Sequence, residues 1–176
     1  MKISSFFFFF FIIINLSNSH AEIYYIDVDK IINQTKVGKH INIEFENLTK
    51  KINTKNLETK SEFKKREENL IAQKNIIDEN EFNKKLNIFR KDVNDFNQLN
   101  QKTNQDLKKK LLENKTNFLK LIEPILLDYV KDNNITYLLQ KKYIIVGHND
   151  MNKTSDIIEL VDNKINISKF NDSISK

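Results

Sequence analysis

Apolar residues return every three or four positions through most of this chain, which is the pattern of helices with one buried stripe. Two stretches carry the pattern, residues 41–77 and residues 82–125, with a short polar break between them. A 3.5-residue repeat with polar flanks is typical of a coiled-coil seam. Because the break is only about four residues long, the two helices should lie antiparallel. The pattern therefore predicts a long helical hairpin over residues 41–125.

Strand-like patterns lie on both sides of the hairpin. Residues 23–28 are β-branched, aromatic and apolar on both faces, which predicts a buried strand. Residues 136–139 and 143–146 predict two more strands. Asp29 is placed to cap a short helix carrying Ile31 and Ile32, and Gly38 to end or bend that helix. Three strands and a few helices bury little area alone, so we expect this small body to oligomerise.

The second half of the chain carries further helix signals. Pro124 predicts a kink in the long second helix, either incidental or marking the bend where the hairpin joins the body. The helix should then end near Asn133. Asp156 and Glu159 have the spacing of a capping box, which predicts a last helix before a frayed tail at residues 168–176.

The first 21 residues have the organisation of an export signal. Lys2 gives a positive start, residues 6–14 form an unbroken apolar run, and Ser19 and Ala21 place small residues before a break. The apolar run is shorter than the roughly 20 residues that span a membrane. We therefore predict cleavage after Ala21 and a periplasmic protein, with an uncleaved anchor as the alternative.

Composition excludes several kinds of chemistry. The chain has two glycines and no cysteine, so phosphate-cradling loops, thiolate metal sites and thiol nucleophiles have no residues to form them. His40 and His148 have no second histidine three or four residues away, although Glu44 follows His40 by four. We predict a protein that is not an enzyme and that has no cofactor or metal.

The net charge of +5 would suggest a nucleic-acid binder in the cytosol. In an exported protein it favours acidic proteins instead, together with weak contact to an anionic membrane surface.

The order of motifs resembles the OmpH/Skp-like periplasmic chaperones. An export signal is followed by residues 26–32 and Gly38, then by the long hairpin, and finally by residues 137–139, 144–146 and 155–157. The resemblance implies an α+β fold in which strands from three chains build a central body and three helical tentacles enclose a cavity. The expected division is a signal peptide at 1–21, a trimerisation body at 22–40 and 126–167, a tentacle at 41–125 and a tail at 168–176. The residues expected in the oligomer body are Tyr24, Ile26, Val28, Leu138, Ile144 and Val146.

The function implied by this resemblance is an ATP-independent holdase that binds unfolded outer-membrane proteins between its tentacles. Four apolar residues lie off the seam and are candidate client contacts: Leu57, Ile71, Ile88 and Leu99. Packing on the flanks of the coiled coil also explains apolar residues at these positions. The alternative is a structural coiled-coil spacer or docking protein of the cell envelope. A third hypothesis, that the protein binds nucleic acid, requires that the chain is not exported.

Overall fold

A computed structural model describes residues 21–175, so the predicted export signal lies outside the described residues except for Ala21. The elements in chain order are β1 (Ile23–Ile26), α1 (Val28–Gln34), α2 (Lys36–Gln73), α3 (Glu79–Asp132), β2 (Tyr137–Gln140), α4 (Thr154–Lys164) and α5 (Ile167–Ile174). Two 3₁₀ turns lie between β2 and α4, at Lys141–Tyr143 and Asn149–Met151. Within residues 21–175, no helix is both long and apolar enough to cross a membrane.

The predicted hairpin is formed by α2 and α3, which pack antiparallel along the seam. A groove near the body brings Phe45 of α2 next to Leu107 of α3. Farther out, the ring of Phe63 packs edge-on against Phe89 and Phe96, with centroids 6.0 and 5.4 Å apart. At 1.5 Å per residue α2 is about 57 Å long and α3 about 81 Å long, so α3 continues into the body. We call the part in which α2 and α3 pack against each other the arm.

Polar side chains set the ends of the arm helices. Thr35 caps α2, because its Oγ1 accepts a hydrogen bond from Gly38 N at 3.2 Å. The helix therefore begins at Lys36, ahead of the predicted residue 41. At the tip, α2 ends at Gln73 and Asp78 caps α3 by accepting from the backbone N–H groups of Asn80 and Glu81. The predicted break at residues 78–81 thus starts the second helix, although the tip turn begins a few residues earlier.

The body is a two-stranded sheet covered by helices. β1 pairs with β2 in parallel, with Ile23 opposite Tyr137 and Ile26 opposite Gln140. A core of completely buried side chains joins α1, α4, α5 and the adjoining ends of α2 and α3. α3 contributes Phe118 and Ile122 to this core, continues through Pro124, and ends at Asp132. The predicted end of this helix near Asn133 is confirmed.

Five local predictions are wrong. Residues 143–146 form no strand: a 3₁₀ turn ends at Tyr143, and Ile145 is 100% exposed, since residues 21–175 offer no neighbouring strand for the segment. The cap of α1 is Asp27, whose Oδ1 accepts from Lys30 N at 3.0 Å, and Asp29 lies in the first turn. Gly38 does not end α1 but lies inside the first turn of α2.

The fourth difference concerns the end of the chain. Residues 168–176 were expected to fray, yet α5 extends to Ile174 and buries Phe170 completely. The start of α4 also differs, because the helix begins at Thr154 with no side-chain cap and Asp156 stands in its first turn. The Thr154 hydroxyl instead accepts a hydrogen bond from Asp27 N at 2.8 Å, which joins α4 to the start of α1.

Candidate functional site

The arm has two broad faces, one on each side of its seam. A groove on one side is lined by Lys60, Lys64 and Glu67 of α2 and by Asn97 of α3. We call this side the Lys64 face. A groove on the other side is lined by Asn69 of α2 and by Lys85 and Ile88 of α3, and we call it the Ile88 face. Any exposed arm residue can be assigned to a face by its helical spacing from these grooves.

The four candidate client contacts are all exposed, by 53% to 70%. Leu57 and Ile71 lie seven residues before and after Lys64, so they belong to the Lys64 face. Leu99 follows Ile88 by eleven residues, which is close to three helical turns, so both lie on the Ile88 face. The arm therefore does not gather the four side chains into one cluster. It presents two of them on each face.

Ion pairs distinguish the two faces. On the Ile88 side, Arg66 Nη2 lies 2.7 Å from Asp92 Oδ2, and the Arg66 guanidinium also stands over the rings of Phe63 and Phe89 at 5.7 and 5.6 Å. Lys85 Nζ lies 3.0 Å from Glu81 Oε1 and also donates to Gln73. The Arg66–Asp92 and Lys85–Gln73 contacts tie α2 and α3 together near the tip. The ion pairs also partly neutralise the charges of this side.

An apolar groove of about 510 Å³ lies on the body. Ile26, Val28 and Leu138, three of the residues predicted for the oligomer body, line one wall of this groove. The other wall comes from α3, where Leu127 is 65% exposed. The sequence reasoning missed this α3 wall. The sequence feature that indicates this wall is a second apolar stripe on α3, off the seam and spaced by seven or eight residues: Leu112, Leu119, Leu126 and Leu127.

The outer edge of the sheet is also accessible. β1 has β2 on one side, and on its other side Lys153 N donates to Tyr25 O at 2.9 Å. Among residues 21–175, no strand pairs with the other edge of β2. The segment after β2 leads to Ile144, which is partly buried, and to Ile145 and Val146, which are exposed by 100% and 89%. Unpaired edges and exposed β-branched residues together favour strand pairing with another chain.

Titratable groups in the body serve the fold. Burial and the hydrogen bond that the Tyr129 hydroxyl donates to Asp156 at 3.1 Å raise the pKa of Tyr129 to about 12. The backbone N–H of Lys30 holds the pKa of Asp27 below its usual value, with a further contribution from Lys141 at 3.3 Å. Within the described residues, no three histidine, aspartate or glutamate side chains come together as metal ligands.

Comparison with known proteins identifies the family. The model of the family described as outer membrane protein (OmpH-like) matches residues 22–161, and the chain belongs to this family. The structure is similar to the crystal structure of a candidate outer membrane chaperone (OmpH-like) from Caulobacter crescentus CB15. The TM-score is 0.76 at 11% sequence identity, covering 84% of this chain and 87% of that chain, and it establishes a shared fold. No curated protein matches the sequence.

Proposed function

We propose that this protein is an ATP-independent periplasmic holdase that binds unfolded outer-membrane proteins and prevents their aggregation. Membership of the OmpH-like family supports a chaperone role. The observation that carries the proposal is the arm itself, which stands out from a small body and exposes basic and apolar side chains on both faces. The long, open surface of the arm suits an extended client better than a small ligand.

The chemistry of the arm fits reversible holding. Its exposed lysines attract an acidic chain over a Debye length of about 8–10 Å. Each exposed charge contact is worth only about 0–1 kcal/mol, so a client is held by many such contacts and not trapped by any one of them. Linking several arms in one assembly raises the effective concentration of contacts without any new interaction.

Assembly into a homotrimer is the second part of the proposal. The body offers three apolar features to a second copy: the free edge of β2, the exposed Ile145 and Val146, and the groove beside Leu127. Within residues 21–175, no strand pairs with the segment around Ile145, and pairing between copies would supply one. Three bodies joined in this way would place three arms around one cavity.

Replacing Ile145 by aspartate should therefore break the trimer. The side chain is fully exposed in one chain, so the change costs little in the isolated fold, but it places a charge in the proposed interface. We expect light scattering to give the mass of a trimer for the original protein and of a monomer for the variant. Ile76→Asp at the arm tip, where the side chain is 79% exposed, is the matched control and should stay trimeric. A monomeric original protein, or an Ile145→Asp trimer, would contradict this assembly.

The holdase activity is tested by dilution of a urea-unfolded outer-membrane β-barrel protein. One trimer per client should suppress the rise in light scattering, with or without ATP, because the arms hold by mass action alone. The alternative function, a structural spacer of the envelope, predicts a folded partner and no suppression. Unchanged aggregation at a stoichiometric amount of trimer would therefore exclude the holdase and favour the spacer. Mass spectrometry of the exported protein tests cleavage after Ala21.

A further inference from the structure

The two faces of the arm differ in net charge. Residues 55–74 of α2 and 83–109 of α3 were assigned to the faces by their spacing from the two grooves. The Ile88 face carries five lysines, Arg66 and five carboxylates, and its net charge is +1. The Lys64 face carries a single carboxylate, Glu67, against five cations, and its net charge is +4. Those five cations are Lys60, Lys64, Lys74, Arg90 and Lys108.

Pairing strengthens this difference. Of the five carboxylates counted on the Ile88 face, Asp92 lies 2.7 Å from Arg66 Nη2 and Asp95 lies 3.3 Å from Lys91 Nζ. Within residues 21–175, none of the five cations of the Lys64 face lies within 4.0 Å of a carboxylate. Their charges are therefore directed to the solvent and to whatever approaches this side of the arm.

The remaining side chains of the Lys64 face on α3 are almost all amides. They are Asn83, Asn87, Asn94, Asn97, Gln101 and Asn104, and every one of them is exposed. A primary amide donates and accepts hydrogen bonds, as a peptide group does, so a row of amides can pair with an extended backbone of any sequence. Leu57 and Ile71 on α2 add two exposed apolar contacts beside this row.

We propose that the Lys64 face is the client-binding face of the arm, and that it fits unfolded polypeptides of net negative charge. The occupant is argued from charge complementarity: a face of net +4 attracts an acidic chain more strongly than the Ile88 face of net +1 does. The amide row holds the client backbone, and Leu57 and Ile71 contact its apolar side chains. The Ile88 face, with its internal ion pairs, maintains the hairpin. This inference rests on the proposed holdase function and assigns it to one face.

The test compares two triple variants that remove the same charge. The first neutralises the Lys64 face with Lys60→Gln, Lys64→Gln and Arg90→Gln. The matched control neutralises the Ile88 face with Lys55→Gln, Lys65→Gln and Lys102→Gln. All six side chains are exposed, and glutamine preserves the helix. The probe is reduced and carboxymethylated α-lactalbumin, an acidic chain that stays unfolded, and its Kd is measured by fluorescence anisotropy at low and high salt.

We expect the Lys64-face variant to bind about tenfold more weakly and to lose most of its salt dependence. The control should stay within about twofold of the original protein, because the same number of charges is lost from a face that the client does not touch. Equal weakening of the two variants would overturn the assignment of the face while leaving the holdase intact. Absence of binding by the original protein would overturn the proposed acidic-client face, while the aggregation test with the unfolded β-barrel protein decides the holdase separately.

A second pair of variants tests the amide row. Asn94→Ala with Asn97→Ala removes two amides from the Lys64 face, and Gln98→Ala with Gln105→Ala removes two from the outer edge of the same helix. The first pair should weaken binding about threefold with the salt dependence unchanged, because hydrogen bonds and not charges are lost. The second pair should have no effect. If the two pairs behave alike, the amide row has no part in client binding.

Discussion

Replacing Phe170 by alanine should lower the free energy of unfolding by about 3–5 kcal/mol, measured by urea denaturation. The ring is completely buried, and it packs edge-on against Phe118 with ring centroids 6.1 Å apart. Because Phe118 belongs to α3, the contact fixes α5 to the root of the arm. Alanine would leave a cavity between these elements and would remove the aromatic pair, which adds about 0.5–1.5 kcal/mol to the burial.

The control for this prediction lies on the same short helix. Ile174 is 37% exposed, so Ile174→Ala removes a large apolar group that is not enclosed. It should cost less than about 1 kcal/mol if α5 is held mainly by Phe170. If residues 168–176 frayed as the sequence analysis predicted, both changes would have the same small effect. Equal small losses would therefore contradict the packing of α5.

α5 illustrates why the tail was mispredicted. The spacing of Ile167, Phe170 and Ile174 by three and four residues is that of one helical face, and Asn166 caps the helix by accepting from Lys169 N at 2.8 Å. In eight residues this signal is weak, because a helix of that length is unstable in isolation. Its stability comes from the pocket around Phe118, which the sequence of the tail does not reveal.

The arm was predictable because its seam repeats over many turns. Each apolar seam position from Phe82 to Phe96 supports the same phase, so single errors do not change the result. The body was less predictable because its strands are four residues long and depend on distant partners. Residues 143–146 have the sequence pattern of a strand, but the described part of the chain provides no strand beside them. A pattern of this kind indicates a pairing partner outside the single chain.

The four candidate client contacts stay predictions, and the sequence indicated them as single residues and not as an arrangement. Off-seam apolar residues were recognised because they break the repeat, and all four are exposed. Their division between two faces requires the phase of both helices at once, and that phase follows from Phe63 meeting Phe89 and Phe96. The charge difference between the faces also depends on this pairing, since each helix alone carries both signs of charge.

Replacing Gly38 by alanine should destabilise the body by about 2–4 kcal/mol. Helix propensity predicts the opposite, because alanine in a helix is favoured over glycine by about 1 kcal/mol and Gly38 lies in the first turn of α2 without a positive φ. The obstacle is the close approach of α1. An added Cβ would overlap the carbonyl oxygen of Ile32 and lie 2.6 Å from its carbonyl carbon, and 2.9 Å from Thr35 Oγ1.

Backbone atoms cannot rotate away as a side chain can, so α1 would have to move away from α2. That movement would disturb Thr35, which is buried and whose hydroxyl donates to Ile31 O at 2.9 Å while it caps α2. Ile31 and Val37, both buried beside this corner, would lose packing with it. The loss should appear as a lower urea midpoint with an unchanged slope, since the same core unfolds.

The other glycine of the chain is the matched control for Gly38. A Cβ on Gly147 would meet only side-chain atoms, the nearest being Ile144 Cγ2 and Tyr25 Cε1 at 3.4 Å, and its φ is not positive. Gly147→Ala should therefore change the free energy of unfolding by no more than about 0.5 kcal/mol. Similar midpoints for the two variants would show that α1 and α2 are not in close contact at Gly38. A midpoint lowered only by Gly38→Ala would establish that this glycine is required because two helix backbones meet there.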